Sequence, residues 1–207
     1  PHGLPDLQAL GADIYLFSLY KTYGPHQGLM VVKKALAERM PNQAHFFNAA
    51  SVTKKLTPAG PDHAQIAASA GIIDYFDALH AHHFADEADA AERGRRVAAL
   101  MQGQEKALLA PLLDWLRQRN DIRVLGPTDP AVRAPTVALH PKNKPAEDVL
   151  RGLTERGIAA GVSNFYAYRL VEAMGIDPES GVLRLSFVHY TTPEEIDNLI
   201  QALDASL

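Results

Sequence analysis

Residues 11–25 of the chain read GADIYLFSLYKTYGP, and this stretch decides how the fold is interpreted. Aromatic and β-branched side chains in residues 13–17 predict one buried strand, and the apolar run 28–32 predicts a second. The stretch between them is polar and contains Gly24-Pro25, which predicts a loop. Lys21 lies on that loop. Burial between core strands would favour the free amine that Schiff-base chemistry needs, whereas a solvated loop lysine is the ordinary alternative.

The composition is that of a globular chain, with 47% hydrophobic and 21% charged residues among 207. A net charge of -4 gives no electrostatic reason to expect nucleic acid or a membrane as a partner, so small molecules and proteins are expected instead. The chain has no cysteine, which excludes disulfides and thiolate chemistry within it. This composition fits a reducing compartment, so we expect a cytoplasmic location.

The apolar spacing predicts helices over residues 33–39, 63–83 and 88–119, and Pro111 is expected to interrupt or kink the last of them. The pattern then changes to strands and short helices. Strands are expected at 121–125, 136–139, 158–162 and 182–188, and helices at 145–155 and from Pro193 onward. We therefore predict a boundary near residues 117–125, with residues 1–118 forming one domain and residues 119–207 a compact α+β domain.

The segment around Lys21 resembles the cofactor-lysine segment of class V aminotransferases, especially their cysteine-desulfurase-like branch. The matching residues are Pro5-Asp6-Leu7, residues 10–21, Tyr23-Gly24-Pro25 and Gly28. The resemblance implies that Lys21 holds pyridoxal phosphate as a Schiff base and then moves the proton at the substrate α-carbon. It also implies that Ser18 binds the cofactor phosphate. Tyr20 stands where the family commonly has histidine, and its hydroxyl would be the replacement donor to the phosphate.

Residues 57–64 are similar to the family's Gly-Thr-Pro-Asn loop, which reaches into the neighbouring subunit's site. This similarity implies a homodimer with a shared active site. The family threonine falls on Gly60, so backbone donors or His63 would have to replace its hydroxyl. The alternative from the residues alone is an ordinary helix-opening turn with Asp62 as its cap.

Residues 181–197 resemble the family's carboxyl-terminal arginine segment, which implies that Arg184 binds the substrate α-carboxylate. An arginine within an apolar strand should be paired if it is buried, and a substrate carboxylate or a structural ion-pair partner would serve. Asn164 and Tyr166, in the preceding loop, are candidate substrate contacts, although an ordinary surface loop is the alternative. The family's desulfurases carry a cysteine in this region, and this chain has none.

The resemblance runs from His2 to Leu203 and implies an α/β fold, the type I pyridoxal-phosphate transferase fold. We expect a partial large domain followed by the small α+β domain. Family members are considerably longer, so the chain is expected to be a carboxyl-terminal portion that lacks part of the cofactor site. The histidines at positions 80, 82 and 83 have no suitable nearby partner in the sequence, so a solvated helix end is expected rather than a metal site.

The predicted function is that of a pyridoxal-phosphate-dependent class V aminotransferase-like enzyme acting on an amino acid. One alternative is a cysteine-desulfurase-like lyase without the usual cysteine. Another is a scaffold that binds no cofactor. The sequence does not distinguish transamination from elimination or epimerisation, because the side chains around the substrate decide among them.

Overall fold

The structure, a computed structural model, describes residues 2–57 and 60–207. It divides into two compact units, of which one holds residues 3–98 and the other residues 99–207 together with His2. The division falls inside a long helix, between residues 98 and 99, and the domain boundary between residues 118 and 119 stays a prediction. The division lies this early in the helix because Leu108, Leu112 and Leu116 belong to the core of the second unit.

The first unit is built on an antiparallel pair of strands, β1 (Ile14–Ser18) and β2 (Gly28–Val32). Ile14 lies opposite Val32, and Ser18 lies opposite Gly28. A 3-10 turn, Leu19–Thr22, leaves β1 and carries Lys21. Helices α1 (Lys34–Arg39), α2 (His63–Ala68) and α3 (Ala70–His83) also belong to this unit, as does a 3-10 turn at Phe46–Asn48. The predicted strand, loop and strand are therefore confirmed.

The predicted burial of β1 and β2 was wrong for this unit. Leu16 is 65% exposed and Met30 is 42% exposed. Among the described residues these two strands pair only with each other, so each keeps an unpaired edge. A two-stranded ribbon has too little neighbouring structure to cover both faces.

The single helix expected over residues 63–83 is two helices that meet at Ser69. The Ser69 hydroxyl donates to the backbone oxygen of Ile66. Serine side chains compete for backbone partners in this way and weaken a continuous helix. Apolar periodicity does not register such a break, because the spacing of the apolar residues continues across it.

Helix α4 (Ala90–Arg117) runs through Pro111 without ending. A proline inside a helix removes one hydrogen bond and costs about 3 kcal/mol. Leu109, Leu112 and Leu113 around it are almost completely buried, and each contributes roughly 1.5 to 3 kcal/mol by burial. Packing therefore outweighs the local penalty. The helix is not interrupted at Pro111, and the kink expected there stays a prediction.

The second unit is a four-stranded antiparallel sheet covered by helices. Its strands are β3 (Ile122–Leu125), β4 (Thr136–Pro141), β5 (Gly161–Ser163) and β6 (Val182–Ser186), in the order β3-β4-β6-β5. Its helices are α5 (Ala146–Glu155), α6 (Tyr168–Ala173) and α7 (Pro193–Ser206). The α+β arrangement matches the prediction, apart from α6, which the sequence analysis missed, and β5, which is shorter than expected.

The core of this unit joins α4, α5 and α7 to one face of the sheet. Its fully buried members include Leu113, Val137, Val149, Leu183 and Leu203. Helix α7 begins with a capping box, in which Thr192 accepts from the Glu195 backbone and Glu195 accepts from the Thr192 backbone. Across the described residues, no helix is both long and apolar enough to cross a membrane.

Candidate functional site

The turn that carries Lys21 is closed by its own backbone. Leu19 N donates to Gln27 O at 2.8 Å, and Gly24 N donates to Leu19 O at 3.0 Å. Tyr23 adopts the left-handed conformation with φ 65°, which ends the 3-10 turn. The Leu19 side chain is buried, so it anchors one side of the turn while Lys21 lies on the other.

Helix α3 packs directly against this turn. A Cβ atom added at Gly24 would lie 2.5 Å from Cδ1 of Ile72, so the close approach requires glycine or a shift of Ile72. The rings of Tyr23 and Tyr75 meet edge to face with centroids 5.3 Å apart. The Gly24 of the sequence motif therefore has a packing role, because it lets α3 support the lysine turn.

The Lys21 side chain is exposed in the unit described, as the solvated-loop alternative expected. Its Nζ lies 5.4 Å from the centroid of the Tyr20 ring. Across residues 2–57 and 60–207 its ammonium has no hydrogen bond and no ion pair. The lysine lines a groove of about 900 Å³. Other residues along this groove are Leu4, Tyr15, Ser18, Thr22 and Met30.

The Tyr20 ring contacts His26, and neither residue lines the groove. The two rings stack with centroids 4.6 Å apart and an interplanar angle of 6°. Ser18, in contrast, lines the same groove as Lys21. The structure therefore brings a primary amine and a serine hydroxyl together on one groove, with Tyr20 beside the lysine rather than on the groove wall.

The second predicted loop is described only in part, because Pro58 and Ala59 lie outside the described residues. Gly60 and His63 are both exposed. The Asp62 carboxylate accepts from Gln65 N at 3.1 Å and caps α2, as the alternative interpretation of this segment expected. His63 is the first residue of that six-residue helix.

Arg184 lies on the outward face of β6. Successive side chains of a strand point to opposite faces, and here Leu183 and Leu185 are buried while Arg184 is exposed. Arg184 is therefore not a buried arginine that needs a structural ion-pair partner. The face of β6 on which it lies is only partly covered, since Val182 on that face is buried whereas Arg184 is exposed. Within the described part of the chain, the Arg184 side chain has no carboxylate or hydrogen-bond partner. Its guanidinium carbon lies 3.7 Å from the centroid of the Phe165 ring.

The loop after β5 holds Phe165 in place. Asn164 accepts from Tyr166 N at 3.1 Å through Oδ1 and donates to Pro178 O at 3.3 Å through Nδ2. Both ends of its amide are therefore engaged with the backbone. Sequence analysis named Asn164 and Tyr166 but missed Phe165, because only the pairing of β5 with β6 brings that ring to Arg184.

Five of the predicted site residues thus fall into two groups, each within its own compact unit, whereas Gly60 and His63 lie at the start of α2. Ser18, Tyr20 and Lys21 share one turn, and Asn164 and Arg184 flank Phe165. Around the third candidate, His80 is buried and stacks on Phe84 with centroids 4.9 Å apart, whereas His82 and His83 are exposed. In the described ranges, no group of three or more histidines and carboxylates is placed to hold a metal ion.

Comparison with known proteins gives one family. The family model described as aminotransferase class-V matches residues 1–199. An aminotransferase-like protein of Gibberella zeae is 32% identical over 213 residues, which cover 100% of this chain and 49% of the relative. A probable cysteine desulfurase of Vibrio cholerae is 30% identical, over 98% of this chain and 47% of the relative.

Two solved structures share the fold. The cysteine desulfurase CsdA from Escherichia coli superposes with a TM-score of 0.74 and 24% identity, covering 99% of this chain and 48% of that one. A cysteine desulfurase from Thermococcus onnurineus NA1 gives a TM-score of 0.75 and 16% identity, covering 96% and 48%. The chain therefore spans about half the length of the relatives it matches.

Proposed function

Since the chain belongs to the class V aminotransferase family, in its cysteine-desulfurase-like branch, we propose that it carries the cofactor lysine of a pyridoxal-phosphate-dependent enzyme. Its fold is the type I fold of that class. The observation that carries the proposal is Lys21, an amine with no hydrogen bond and no ion pair in the described residues, held on a turn beside Ser18. The substrate is an amino acid.

The donors along the Lys21 groove fit the chemistry of this cofactor. A primary amine is what a cofactor aldehyde needs, and the hydroxyl of Ser18 is a suitable donor to a phosphate. The Thr22 hydroxyl donates to Ser18 O. Lys21 would hold the cofactor covalently, and Ser18 would bind its phosphate. The Tyr20 hydroxyl would add a second donor only if its ring left His26.

When bound, pyridoxal phosphate acts as an electron sink for negative charge at the α-carbon of an amino acid. The protein's own part is to bind, to orient and to move protons. We assign to the Lys21 amine the transfer of the proton at the substrate α-carbon. We assign to Arg184 the binding of the substrate α-carboxylate. None of the described residues occupies the N–H edges of its guanidinium, and this planar group binds a carboxylate in a bidentate manner.

The reaction we favour is transamination or a related elimination. The relatives named as cysteine desulfurases support lyase chemistry as the alternative. A persulfide cannot form on a thiol of this chain, because it contains no cysteine. A scaffold without cofactor remains the alternative from a different class of protein.

Trapping the cofactor on its lysine tests the proposal without relying on turnover. Borohydride reduction of the full-length protein, followed by digestion and mass spectrometry, should place the reduced cofactor on the peptide that contains Lys21. Lys21→Ala should remove this label, while Lys34→Ala should keep it, since Lys34 is an exposed lysine away from the groove. Label on another lysine would overturn the assignment of Lys21. No label at all on the wild type would favour the scaffold.

We also propose a homodimer in which Gly60 and His63 serve the partner's site. The support is the likeness of residues 57–64 to the family loop that crosses between subunits. Analytical ultracentrifugation should find a dimer at micromolar concentration. A fully active monomer under the same conditions would contradict the shared site.

A further inference from the structure

The guanidinium of Arg184 stacks on the aromatic ring of Phe165, which lies on the loop after β5. The Cζ atom of Arg184 lies 3.7 Å from the centroid of Phe165, a distance at which the two groups are in contact. Arg184 belongs to β6, and Gly161 of the neighbouring β5 is its partner in the sheet register. Glycine there leaves the sheet surface open for the ring. A Cβ atom at Gly161 would already lie 3.4 Å from Cζ of Phe165.

The backbone of the ring's loop is strained. Phe165 has φ 49° and Tyr166 has φ 63°, a region that costs a residue with a side chain roughly 1 to 2 kcal/mol. Side chains of the same loop hold this conformation. Ser163 Oγ accepts from Phe165 N at 3.1 Å, and Asn164 Oδ1 accepts from Tyr166 N at 3.1 Å. The loop therefore holds the Phe165 ring against Arg184. Its hydrogen bonds offset the free-energy cost of the left-handed backbone.

Stacking occupies a face of the guanidinium and leaves its N–H edges untouched. Arginine binds a carboxylate through those edges, in the plane of the group. A ring on one face also limits the rotation of a side chain that otherwise has many rotamers, so less conformational freedom is lost when a carboxylate binds. The attraction between cation and ring adds to this effect.

We propose that Phe165 is a positioning residue, which fixes the plane of Arg184 so that the site selects substrates carrying an α-carboxylate. This inference rests on the proposed role of Arg184 in the function above. Phe165 does not touch the substrate in this role. It acts through Arg184, and its removal should weaken carboxylate binding while leaving the binding of the amine group unchanged.

A matched pair of small probes separates these two effects. L-alanine and ethylamine share the amine, and only L-alanine has the carboxylate. Apparent Kd values come from titrating the full-length, cofactor-loaded protein and following the cofactor absorbance. Phe165→Leu should weaken L-alanine binding about 5- to 20-fold and change ethylamine binding by less than about twofold. Phe165→Tyr keeps the ring and should stay within about twofold of the wild type for both probes.

The control is Tyr168→Leu, which removes an exposed ring at the start of α6 that does not stack on Arg184. It should leave both Kd values unchanged. Gly161→Val should also weaken L-alanine binding, as Phe165→Leu does, because the valine side chain on β5 would displace the Phe165 ring. Phe165→Leu or Gly161→Val, whichever yields folded protein by circular dichroism, is sufficient.

Arg184→Ala distinguishes the failure of this inference from the failure of the proposed function. If Arg184→Ala abolishes the preference for L-alanine but Phe165→Leu leaves it intact, Phe165 is not a positioning residue and the role of Arg184 stands. If Arg184→Ala leaves the preference intact, or the wild type has none, both proposals fall. In the Arg184→Ala background, Phe165→Leu should have no further effect, because the two residues act as one unit.

Discussion

At the scale of single residues, two cationic side chains carry the proposed chemistry, and the described structure pairs neither of them with an anion. Lys21 and Arg184 are both exposed and form no ion pair there, whereas Arg93 and Arg119 are held by the carboxylates of Asp77 and Asp121. An exposed cation needs no partner for stability. What separates these two from an ordinary surface lysine or arginine is their support, since packed structure fixes the Lys21 turn and an aromatic ring fixes Arg184.

Arg184→Ala should lower kcat/KM for amino acids by about two orders of magnitude or more, with cofactor content unchanged. If substrate binding excludes water from the arginine–carboxylate pair, removal of the arginine costs roughly 2 to 5 kcal/mol of productive binding. Arg184→Lys should restore only part of the loss, because an ammonium lacks the planar fork. Steady-state kinetics on cofactor-loaded protein measure the effect.

Arg169→Ala is the matched control for that substitution, because Arg169 is an exposed arginine on α6. Its kinetics should equal those of the wild type. Equal kinetics for Arg184→Ala would instead mean that Arg184 is an ordinary surface residue. Both arginine side chains are exposed, so neither substitution removes buried packing, and thermal unfolding checks that both variants are folded.

At the scale of secondary-structure elements, the backbone at Gly181, just before β6, lies very close to the backbone of Ser163 at the end of β5. Gly181 has φ 65°, and a Cβ atom there would lie 2.7 Å from the carbonyl carbon of Ser163. That contact is with backbone, which cannot rotate away. Gly175 has a similar φ of 73°, but a Cβ atom there would meet nothing within 4 Å. Comparing substitutions at the two glycines therefore separates the energetic cost of the left-handed backbone from that of the steric contact.

Gly181→Ala should reduce the free energy of unfolding by about 2 to 4 kcal/mol, the sum of a left-handed backbone and an overpacked contact. Gly175→Ala should cost only about 1 kcal/mol, because its side chain enters open space. Urea unfolding of both variants measures the difference. Equal losses would mean that β5 moves away from Gly181 at little cost. Because Ser163 supports the Phe165 loop, Gly181→Ala should also weaken L-alanine binding.

At the scale of the whole molecule, stability should depend on pH through one partly buried histidine and several ion-paired carboxylates. Burial lowers the pKa of His189, against an opposing effect of Glu105, which raises it, and with His2 lowering it further. The hydrogen bond from Arg119 lowers the pKa of the Asp121 carboxyl. The two shifts act on stability in separate pH ranges.

For His189, the unfolded chain takes up a proton near pH ~6.5, while the folded chain resists it until lower pH. Stability is therefore fully present above that pH and decreases as the pH falls below it, because the unfolded state binds more protons. His189→Asn should flatten the change in unfolding midpoint between about pH 7 and pH 5. Chemical denaturation at a series of pH values measures this slope.

Asp121→Asn serves as the control for that measurement, because a carboxyl with a lowered pKa contributes stability that is lost only near and below pH ~4. The Asn variant should keep the slope between pH 7 and pH 5 and lose part of the slope below it. If His189→Asn leaves the pH dependence of the unfolding midpoint unchanged between pH 7 and pH 5, a group other than His189 causes it.

Much of the architecture was accessible from the sequence, because it depends on local chemistry. Alternating or continuous apolar residues predicted β1, β2 and the sheet of the second unit, and helical spacing predicted α1, α4, α5 and α7. The Gly24-Pro25 pair placed Lys21 on a turn. Motifs around Lys21 and Arg184 identified the family, which the comparisons confirmed.

Tertiary structure alone decided which faces are covered and which side chains meet. Periodicity marks Arg184 as a member of an apolar strand. Only the tertiary structure shows that α4, α5 and α7 pack on the opposite face, and that the face carrying Arg184 is covered only in part, around Val182. Phe165 is 19 residues from Arg184 in the chain, and the pairing of β5 with β6 joins them. The physical reason is that contacts between distant residues depend on sheet register and on burial summed over several elements, and no local pattern encodes either.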